Sequence, residues 1–489
     1  MPTEKELIDE RLRKRRELLE KGINPYPYKY EPTYSAAKVQ EEFSKLEKEE
    51  KTDKKVRIAG RIMSLRRMGK ATFMHVMDQT GKVQAYFKFD EIGENYNLLK
   101  LMDIGDWIGI EGIVFKTKTG EVTVRTEKFE ILSKSIRPLP DKWSGLKDIE
   151  QRYRKRYLDL IMNPDVRNVF LKRTKIINSI RQSLNKKGFL EVETPVLQPV
   201  YGGANARPFK THLHSLDMDV YLRISNELYL KRLIIGGYEK VFEFARDFRN
   251  EDIDRTHNPE FTQIEIYEAF ADFNDMQNLV MDLFVNAAKE IHGSTRFEYQ
   301  GHKIDVKKPW QKFTMIESLR EIAGIDVEKL DEKELLNLCR QHNVELEDNP
   351  GKGDMIQGLF DELVEKKLIQ PTFITDYPVE STPFCKVSRK DPDSCYIERF
   401  EVFIAGMEVG NAYSELNDPV VQKKLLEEQA ARLRAGSEEA HPMDKDFVQA
   451  VEYGMPPTGG VGIGIDRMTM LLTNQKSIRD VIFFPFMKQ

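Results

Sequence analysis

The chain has 489 residues, of which 32% are charged, and its 80 acidic and 76 basic side chains leave a formal net charge of −4. This length predicts two or three domains, and the balanced charge excludes a strong overall attraction to nucleic acid, so a nucleic-acid partner must be bound by local basic patches. Three cysteines without a close pair disfavour disulfides and structural zinc, and without an apolar signal or membrane segment we expect a cytoplasmic protein with no membrane partner.

Residues 1–54 are rich in charged residues and predict a helical N-terminal extension. Arg11, Arg13, Lys14, Arg15 and Arg16 form a basic cluster within it. Such a cluster is either a solvated helix face or a helix that contacts the phosphates of bound RNA. The sequence leaves both interpretations open.

Residues 55–136 predict a small β-barrel. Five strand candidates, 56–65, 72–78, 82–89, 106–115 and 122–132, are accompanied by one short helical stretch, 94–102, after the third strand. This is the element order of an OB-fold, whose face binds single-stranded nucleic acid.

Four side chains of this barrel are candidates for nucleic-acid contact. Phe73 could stack on a base, while Arg66, Arg67 and Gln84 could supply charge and hydrogen bonds. A single phenylalanine in a barrel is more often part of the core, and that alternative stays open here.

Residues 137–152 contain two prolines and predict a linker, after which 153–489 form a second domain. Strand-rich segments alternate there with helices, which predicts an α+β fold around an antiparallel sheet. A helix at 178–187 precedes a strand that ends at Pro195, and 276–291 is an amphipathic helix. Residues 314–370 predict a helical insertion.

A long hairpin is predicted from two β-like runs, 240–248 and 260–267. Its connecting loop carries Arg249, Glu251 and His257, and Phe261 lies just beyond the loop. Arginine binds phosphate oxygens in a bidentate manner and an aromatic ring stacks on a base, so this arm suits a nucleoside triphosphate. A glycine-rich strand at 459–464, which leads into a helix carrying Arg467, could approach the same ligand closely.

A second hairpin, 399–415, is predicted to turn at Ala405-Gly406. In that register Glu408 lies opposite Phe403 and diagonal to Glu401, and two carboxylates about 7 Å apart suit a shared Mg²⁺ that also binds phosphate. Asn411, Tyr413 and Glu415 have the opposite parity to Glu408. We therefore predict a β-bulge, most simply at Gly410, that brings both sets to one face.

These segments resemble those of a known enzyme family. Residues 176–195, 241–267 and 459–472 are similar to motifs 1, 2 and 3 of class II aminoacyl-tRNA synthetases. The segments 202–209, 225–231 and 408–417 resemble lysyl-tRNA synthetases of subgroup IIb. The resemblance implies an α+β protein with an N-terminal OB-fold β-barrel and a class II synthetase antiparallel sheet with flanking helices.

The resemblance also implies the reaction and its components. L-Lysine would be ligated to tRNA(Lys) through a lysyl-adenylate, with ATP as co-substrate and Mg²⁺ as cofactor, in a homodimer formed through motif 1. Arg249 and Arg467 would be catalytic, and the anticodon would be bound by Phe73, Gln84 and either Arg66 or Arg67. The ATP-binding residues would be Arg249, Glu251, His257, Phe261 and Arg467, with Mg²⁺ on Glu401 and Glu408.

The chemistry of lysine agrees with the implied amino-acid pocket. Two ammonium groups cost several kcal/mol each to bury without partners, so a lysine pocket needs at least two carboxylates. By resemblance, Glu227 would bind the α-ammonium, and Glu415 with Tyr267 the ε-ammonium. Asn411 and Tyr413 would line the pocket, and Gly203 would allow close approach of the backbone.

Three alternatives remain. An aspartyl- or asparaginyl-type synthetase of subgroup IIb is the nearest, and the two pocket acids oppose it. A catalytically silent RNA-binding paralogue would be expected to lose some of Arg249, Glu401, Glu408 and Arg467, all of which are present. A relative that ligates lysine to a protein would lack the OB domain.

Overall fold

The computed structural model describes residues 2–140, 146, 148–346, 350–390, 395–435 and 440–488. The chain divides into two compact units, Met1–Lys147 and Asp148–Gln489. Within the predicted linker, 137–152, residues 141–145 and 147 lie outside the described residues. No helix in the described ranges is both long enough and apolar enough to span a membrane.

The first unit is a five-stranded closed barrel with the strand order β1-β2-β3-β5-β4. A short helix and a 3-10 helix, Gly93–Leu101, connect the third and fourth strands, which confirms the predicted OB-fold order. The elements are α1 (Glu4–Glu20), α2 (Ala36–Phe43), β1 (Lys51–Met68), β2 (Ala71–Met77), β3 (Lys82–Lys88), α3 (Phe89–Ile92), β4 (Trp107–Lys116) and β5 (Val122–Ser133).

The helices of the predicted N-terminal extension, residues 1–54, pack against the barrel. Leu18 of α1 and Val39 and Phe43 of α2 are buried in the same apolar core as the barrel strands. Arg11 is also buried and donates hydrogen bonds to Ser135 and to the carbonyl of Ile104. Part of the basic cluster therefore anchors α1 to the barrel and is neither a solvated face nor a free phosphate contact.

The second unit contains twelve helices and thirteen strands among its described residues. The helices are α4 (Ile149–Arg154), α5 (Arg156–Met162), α6 (Pro164–Lys186), α7 (Glu227–Ile235), α8 (Phe273–His292), α9 (Met315–Ser318), α10 (Glu332–Gln341), α11 (Lys352–Leu363), α12 (Pro419–Arg434), α13 (Lys445–Glu452), α14 (Ile465–Thr473) and α15 (Ile478–Val481). The strands are β6 (Leu190–Glu191), β7 (Leu197–Gln198), β8 (Lys210–Leu213), β9 (Met218–Leu222), β10 (Lys240–Phe248), β11 (Glu260–Ala269), β12 (Arg296–Tyr299), β13 (His302–Asp305), β14 (Gln311–Thr314), β15 (Thr372–Pro378), β16 (Tyr396–Phe403), β17 (Glu408–Ser414) and β18 (Thr458–Gly464).

An eight-stranded sheet organises this unit, in the order β14-β15-β16-β17-β18-β11-β10-β6. Its pairs are antiparallel except at the two ends, where β14 pairs with β15 and β6 with β10 in parallel. Apolar side chains of α6, α8 and α14 cover one face and form the largest buried core, with Ile180, Phe284 and Leu471 among its members. The predicted α+β fold with an antiparallel sheet is confirmed.

Two predicted elements differ in extent. The helix predicted at 178–187 is the end of α6, which starts at Pro164, a residue whose fixed φ suits the first turn of a helix. The strand predicted after it is only β6, because this segment lies at the edge of the sheet and pairs with β10 alone.

Candidate active site

The face of the sheet that carries β16, β17, β18 and β11 forms the floor of a cavity of about 300 Å³. All the residues predicted to bind ATP, lysine or metal line this cavity. They are Gly203, Glu227, Arg249, Glu251, His257, Phe261, Tyr267, Glu401, Glu408, Asn411, Tyr413, Glu415 and Arg467.

A β-bulge in β17 places both sets of β17 residues on this face. Glu408 pairs with Phe403, as predicted, and Gly410 pairs with Val402, so Val409 has no partner on β16. The predicted bulge is confirmed, but its extra residue is Val409 and not Gly410. One unpaired residue inverts the strand parity, so Asn411 and Tyr413 share a face with Glu408.

Glu401 is fixed by two neighbours at the end of the cavity that carries Glu408. The guanidinium of Arg399 donates to one oxygen of Glu401, and the hydroxyl of Tyr377 donates to the other at 2.8 Å. Arg399 also donates to Oδ1 of Asn411 at 3.2 Å. Burial raises the pKa of Glu401, and the charge of Arg399 opposes this rise.

Arg467 connects Glu408 to the loop of the β10–β11 hairpin. It donates to Oε2 of Glu408 at 2.9 Å and contacts Nε2 of His257 at 3.0 Å. Because a guanidinium can only donate, Nε2 of His257 accepts and the imidazole proton lies on Nδ1. That nitrogen donates to Asp254 at 2.9 Å. Partial burial raises the pKa of Asp254, but this bond and two backbone N–H groups lower it to about 2.

Arg249 rather than Arg467 lies over the ring of Phe261. The guanidinium carbon of Arg249 is 5.1 Å from the ring centroid, and its buried Nε has no hydrogen-bond partner among the described residues. The predicted sandwich of Phe261 and Arg467 is thus not assembled in this structure, since Arg467 is bound to Glu408 and His257. Glu251 is exposed in the loop at the mouth of the cavity.

Three buried carboxylates lie at the opposite end of the cavity. Glu227 begins α7, Glu265 lies on β11, and Glu415 follows β17 with no exposed surface. Burial raises the pKa of Glu415 to about 8 and that of Glu265 well above its usual range. The hydroxyl of Tyr267 donates to Glu265 at 3.2 Å and not to Glu415, the partner implied by the resemblance.

The glycines of β18 leave the space that two of these carboxylates occupy. A Cβ atom on Gly462 would lie 2.7 Å from Oε1 of Glu265, and Gly460 lies under Glu415. Gly203 has a φ of +88°, and a Cβ there would lie 3.0 Å from Cβ of Glu227. We expected the β18 glycines to permit close approach to the ligand, whereas Gly460 and Gly462 make room for buried carboxylates.

The candidate residues of the barrel separate into two faces. Phe73 pairs with Arg66 and with Tyr86, whose ring centroid is 4.8 Å away. Arg67 pairs with Thr72, whose side chain is buried inside the barrel, and donates to the carbonyls of Leu99 and Met102. The structure therefore brings Arg66 to the face of Phe73 and Arg67 to the other.

Gln84 lies on the same barrel face as Phe73 but is already bonded at both ends. Its amide nitrogen donates to Glu121 at 2.6 Å, and its oxygen accepts from Thr123 at 2.9 Å. A base can therefore use only the second N–H or the second lone pair of this amide, unless it displaces one of these partners.

Comparison with known protein families covers both units. Residues 56–132 match the family of OB-fold nucleic acid binding domains. Residues 148–488 match the family described as tRNA synthetases class II (D, K and N). The chain belongs to the class II tRNA synthetases. The match covers almost the whole second unit, including every residue of the cavity.

Full-length relatives within this class II family carry one name. A protein from Pelotomaculum thermopropionicum named lysine–tRNA ligase is 53% identical over 487 residues, which is 99% of this chain and 95% of the relative. Lysine–tRNA ligases from Carboxydothermus hydrogenoformans and Thermosipho africanus are each 50% identical, covering 99% of this chain and 98% and 96% of the relatives. The class II chain described here thus belongs to the lysine–tRNA ligase family.

The sequence analysis missed two charged residues that line this synthetase cavity, Glu265 and Arg399, and a third, Lys231, that contacts two of its acids. Glu265 lies two residues before Tyr267 on the same face of β11, a period that marks it as a neighbour. Lys231 follows Glu227 by one helical turn, and its Nζ lies 2.5 Å from that carboxylate. Arg399 alternates with Glu401 on β16. All three could have been identified from the pocket residues already predicted, because side chains two positions apart on a strand, or four apart on a helix, lie on the same face.

Proposed function

We propose that this chain ligates L-lysine to tRNA(Lys) through a lysyl-adenylate. The observation that carries the proposal is the pair of buried carboxylates, Glu227 and Glu415, in the same cavity as Arg249, Glu401 and Glu408. A substrate with two ammonium groups satisfies both acids, whereas the side chain of aspartate would be repelled by Glu415.

In the first step a carboxylate oxygen of lysine attacks the α-phosphorus of ATP, and pyrophosphate leaves. We assign Arg249 to the α-phosphate and the substrate carboxylate, where negative charge accumulates in the transition state. Its buried Nε without a partner supports this role. Glu251 contacts the adenine, and His257 lies near the β- and γ-phosphates.

Adenine binding requires two arginines to change partners. Arg249 now lies over Phe261, and Arg467 is bound to Glu408 and His257. In the proposed complex Arg249 turns to the phosphate, and Arg467 covers the face of the adenine opposite Phe261. Both are catalytic in the sense that they contact ATP during the reaction.

Glu401 and Glu408 are the proposed ligands of Mg²⁺. Among the described residues no group of three or more acidic, histidine or cysteine side chains is arranged to hold a metal ion. Two carboxylates nonetheless fit Mg²⁺, which binds one or two carboxylates together with substrate phosphates and water. The bound ion would neutralise phosphate charge, and Arg399 orients Glu401 for this contact.

In the second step a ribose hydroxyl of the terminal adenosine of the tRNA attacks the adenylate carbonyl, and AMP leaves. We assign the barrel, residues 55–136, to the anticodon, with Phe73 stacking on a base and Arg66 and Gln84 supplying polar contacts. The position of Arg66 on the face of Phe73, and the bonds of Arg67 to two carbonyls, support the choice of Arg66 over Arg67.

We further propose a homodimer that functions in the cytoplasm. Leu190 and Leu197, which flank the end of motif 1, are 47% and 49% exposed, and an apolar edge of this kind suits a partner subunit. Gel filtration is expected to show the mass of a dimer, and elution at the mass of a monomer would count against the proposed homodimer.

The proposed cytoplasmic location agrees with the cysteines. All three are free thiols, as a reducing compartment allows.

Amino-acid-dependent exchange between ATP and pyrophosphate, measured with each of the twenty amino acids and without tRNA, tests the proposed function. Exchange with lysine alone is the expected result. Exchange with aspartate or asparagine would overturn the pocket assignment, and no exchange with any amino acid would point to a silent paralogue.

A further inference from the structure

Lys231 places its ammonium group between the two acids of the proposed lysine pocket. It lies one turn after Glu227 on α7 and has no exposed surface. Its Nζ is 2.5 Å from Oε1 of Glu227 and 2.5 Å from Oε2 of Glu415. A single side chain thus joins an acid of a helix to an acid that follows β17, on the far side of the pocket.

We propose that Lys231 is a positioning residue for the amino-acid substrate: its ammonium holds the carboxylates of Glu227 and Glu415 in place and stabilises the charged form of Glu415, and thereby sets the affinity for lysine. This inference rests on the proposed function, since it assumes that these two acids bind the substrate. Lys231 acts through the acids and is not itself placed in contact with the reacting atoms.

Burial distinguishes this contact from an ordinary helical ion pair. Glutamate and lysine four residues apart commonly pair on exposed helix surfaces, where the pair contributes little to stability. Here both groups are buried, and a carboxylate without a counter-charge in such a place takes up a proton instead. Although burial lowers the pKa of Lys231, the charges of Glu227 and Glu415 raise it overall, so Lys231 is charged throughout the physiological range.

The contact leaves room for the substrate. Lys231 uses one oxygen of each carboxylate, Oε1 of Glu227 and Oε2 of Glu415. Only the contact with Glu227 has hydrogen-bond geometry, and neither oxygen of Glu415 accepts a hydrogen bond within the described part of the chain. Glu415 is therefore held by charge and still open to a donor, which is what an incoming ammonium group requires.

Other titratable groups surround the two acids but do not replace Lys231. The groups whose charges act on Lys231 or on Glu415 are Glu227 on α7, Glu265 and Tyr267 on β11, Tyr413 on β17, Cys385, Lys386 and His441. Burial lowers the pKa of His441 to about 4, so it is neutral at pH 7. Lys386 acts on Glu415 more weakly than Lys231 does.

The test replaces Lys231 by methionine, which keeps the length of the side chain and removes its charge. We expect KM for lysine in pyrophosphate exchange to rise at least about 10-fold at pH 7, because loss of a neighbouring cation raises a carboxyl pKa by about one unit or more. The acid limb of kcat/KM for lysine should move to higher pH. KM for ATP and kcat at saturating lysine should stay within about 3-fold.

Lys424→Met is the matched control, because Lys424 forms an exposed ion pair with Glu428 at the same spacing on α12. It should leave both KM values and the pH profile unchanged. If Lys231→Met has the KM for lysine and the acid limb of the unaltered chain, the inference is wrong. It is also wrong if kcat and both KM values change together with a lower Tm, since that result marks a purely structural ion pair.

Lys231→Gln serves if the methionine variant does not fold, because an amide can still donate to both acids without carrying charge. It should fold and show the same shift of the acid limb, and an unshifted limb would overturn the inference. The unaltered chain is measured first. If it does not activate lysine, the proposed function fails; if it does and the Lys231 variants match it, only the role of Lys231 fails.

Discussion

Gly460 and Glu415 are in direct contact across the floor of the pocket. A Cβ atom on Gly460 would lie 2.1 Å from Oε1 of Glu415 and 2.5 Å from the ring of Tyr267. Any side chain at 460 would therefore displace the acid that is proposed to bind the substrate ammonium. The glycine of β18 and the carboxylate beyond β17 act as one unit, although 45 positions separate them in the sequence numbering.

Gly460→Ala should weaken lysine activation strongly. A methyl group at this place forces Glu415 out of position, and misplacement of a substrate-binding group by about 1 Å costs up to about 100-fold. We expect kcat/KM for lysine in pyrophosphate exchange to fall roughly 10- to 100-fold. Gly81→Ala is the control, because a Cβ there meets no atom within 4 Å. A Gly460→Ala enzyme with unchanged kinetics would show that Glu415 does not need its present place.

Arg249→Ala should reduce adenylate formation by at least about 100-fold, as the loss of a preorganised donor to transition-state charge does in other enzymes. Single-turnover formation of the adenylate, or pyrophosphate exchange, measures this. Arg246→Ala provides the comparison, since Arg246 is an exposed arginine near the end of β10. Near-normal exchange by Arg249→Ala would refute the role assigned to this arginine.

Glu415→Gln should raise KM for lysine at least about 10-fold, because a hydrogen bond to a charged partner contributes about 1.5–3 kcal/mol. KM for ATP should stay within about 2-fold, since Glu415 lies at the end of the cavity away from Glu401 and Glu408. Glu428→Gln, on the exposed surface of α12, is the control. Equal losses for both substrates would contradict the assignment of Glu415 to lysine.

The affinity for lysine should increase with pH. Burial raises the pKa of Glu415 to about 8, against the opposing charge of Lys231, so the ionised fraction of this carboxyl, which pairs with an ammonium group, increases as the pH rises toward 8. We expect kcat/KM for lysine to rise between pH 6 and about 8 and then to level off, while the substrate ammonium groups are still charged. Glu415→Gln should lose this limb. A flat profile in the unaltered chain would contradict a titrating pocket acid.

The barrel offers a comparison between neighbouring arginines. Phe73→Ala and Arg66→Ala should each raise KM for tRNA roughly 10-fold, in line with a stacking contribution of about 1–3 kcal/mol per base. Neither should affect exchange without tRNA. Arg67→Ala should instead lower the stability of the barrel, because Arg67 bonds to two carbonyls. A tRNA defect confined to Arg67→Ala would reverse the assignment.

Strand periodicity predicted much of the site. The two hairpins, the pairing of Glu408 with Phe403 and the need for a bulge all follow from parity and turn residues. The bulge was placed one residue too far along because glycine is favoured in such a place, yet the extra residue is the buried Val409. Which residue is left unpaired depends on the register with neighbouring strands, and local sequence does not contain that information.

Contacts between distant segments could not be predicted in the same way. That α1 and α2 share the core of the barrel depends on a few apolar residues, such as Leu18 and Phe43, in a highly charged segment. The partners of Arg467 and Arg249 depend on side-chain rotation. The packing of these helices and the partners of these arginines are tertiary contacts, which the spacing of residues along the chain does not determine.

The bulge at Val409 divides β17 into two segments of opposite phase. Glu408, before it, is a proposed metal ligand, and Asn411 and Tyr413, after it, are proposed to line the amino-acid pocket. Deleting this one residue would turn the second segment over and point its pocket side chains into the core. Substitutions on either segment can therefore alter specificity without changing the backbone. Loss of one residue from the strand would instead turn the proposed pocket side chains away from the face that carries Glu408.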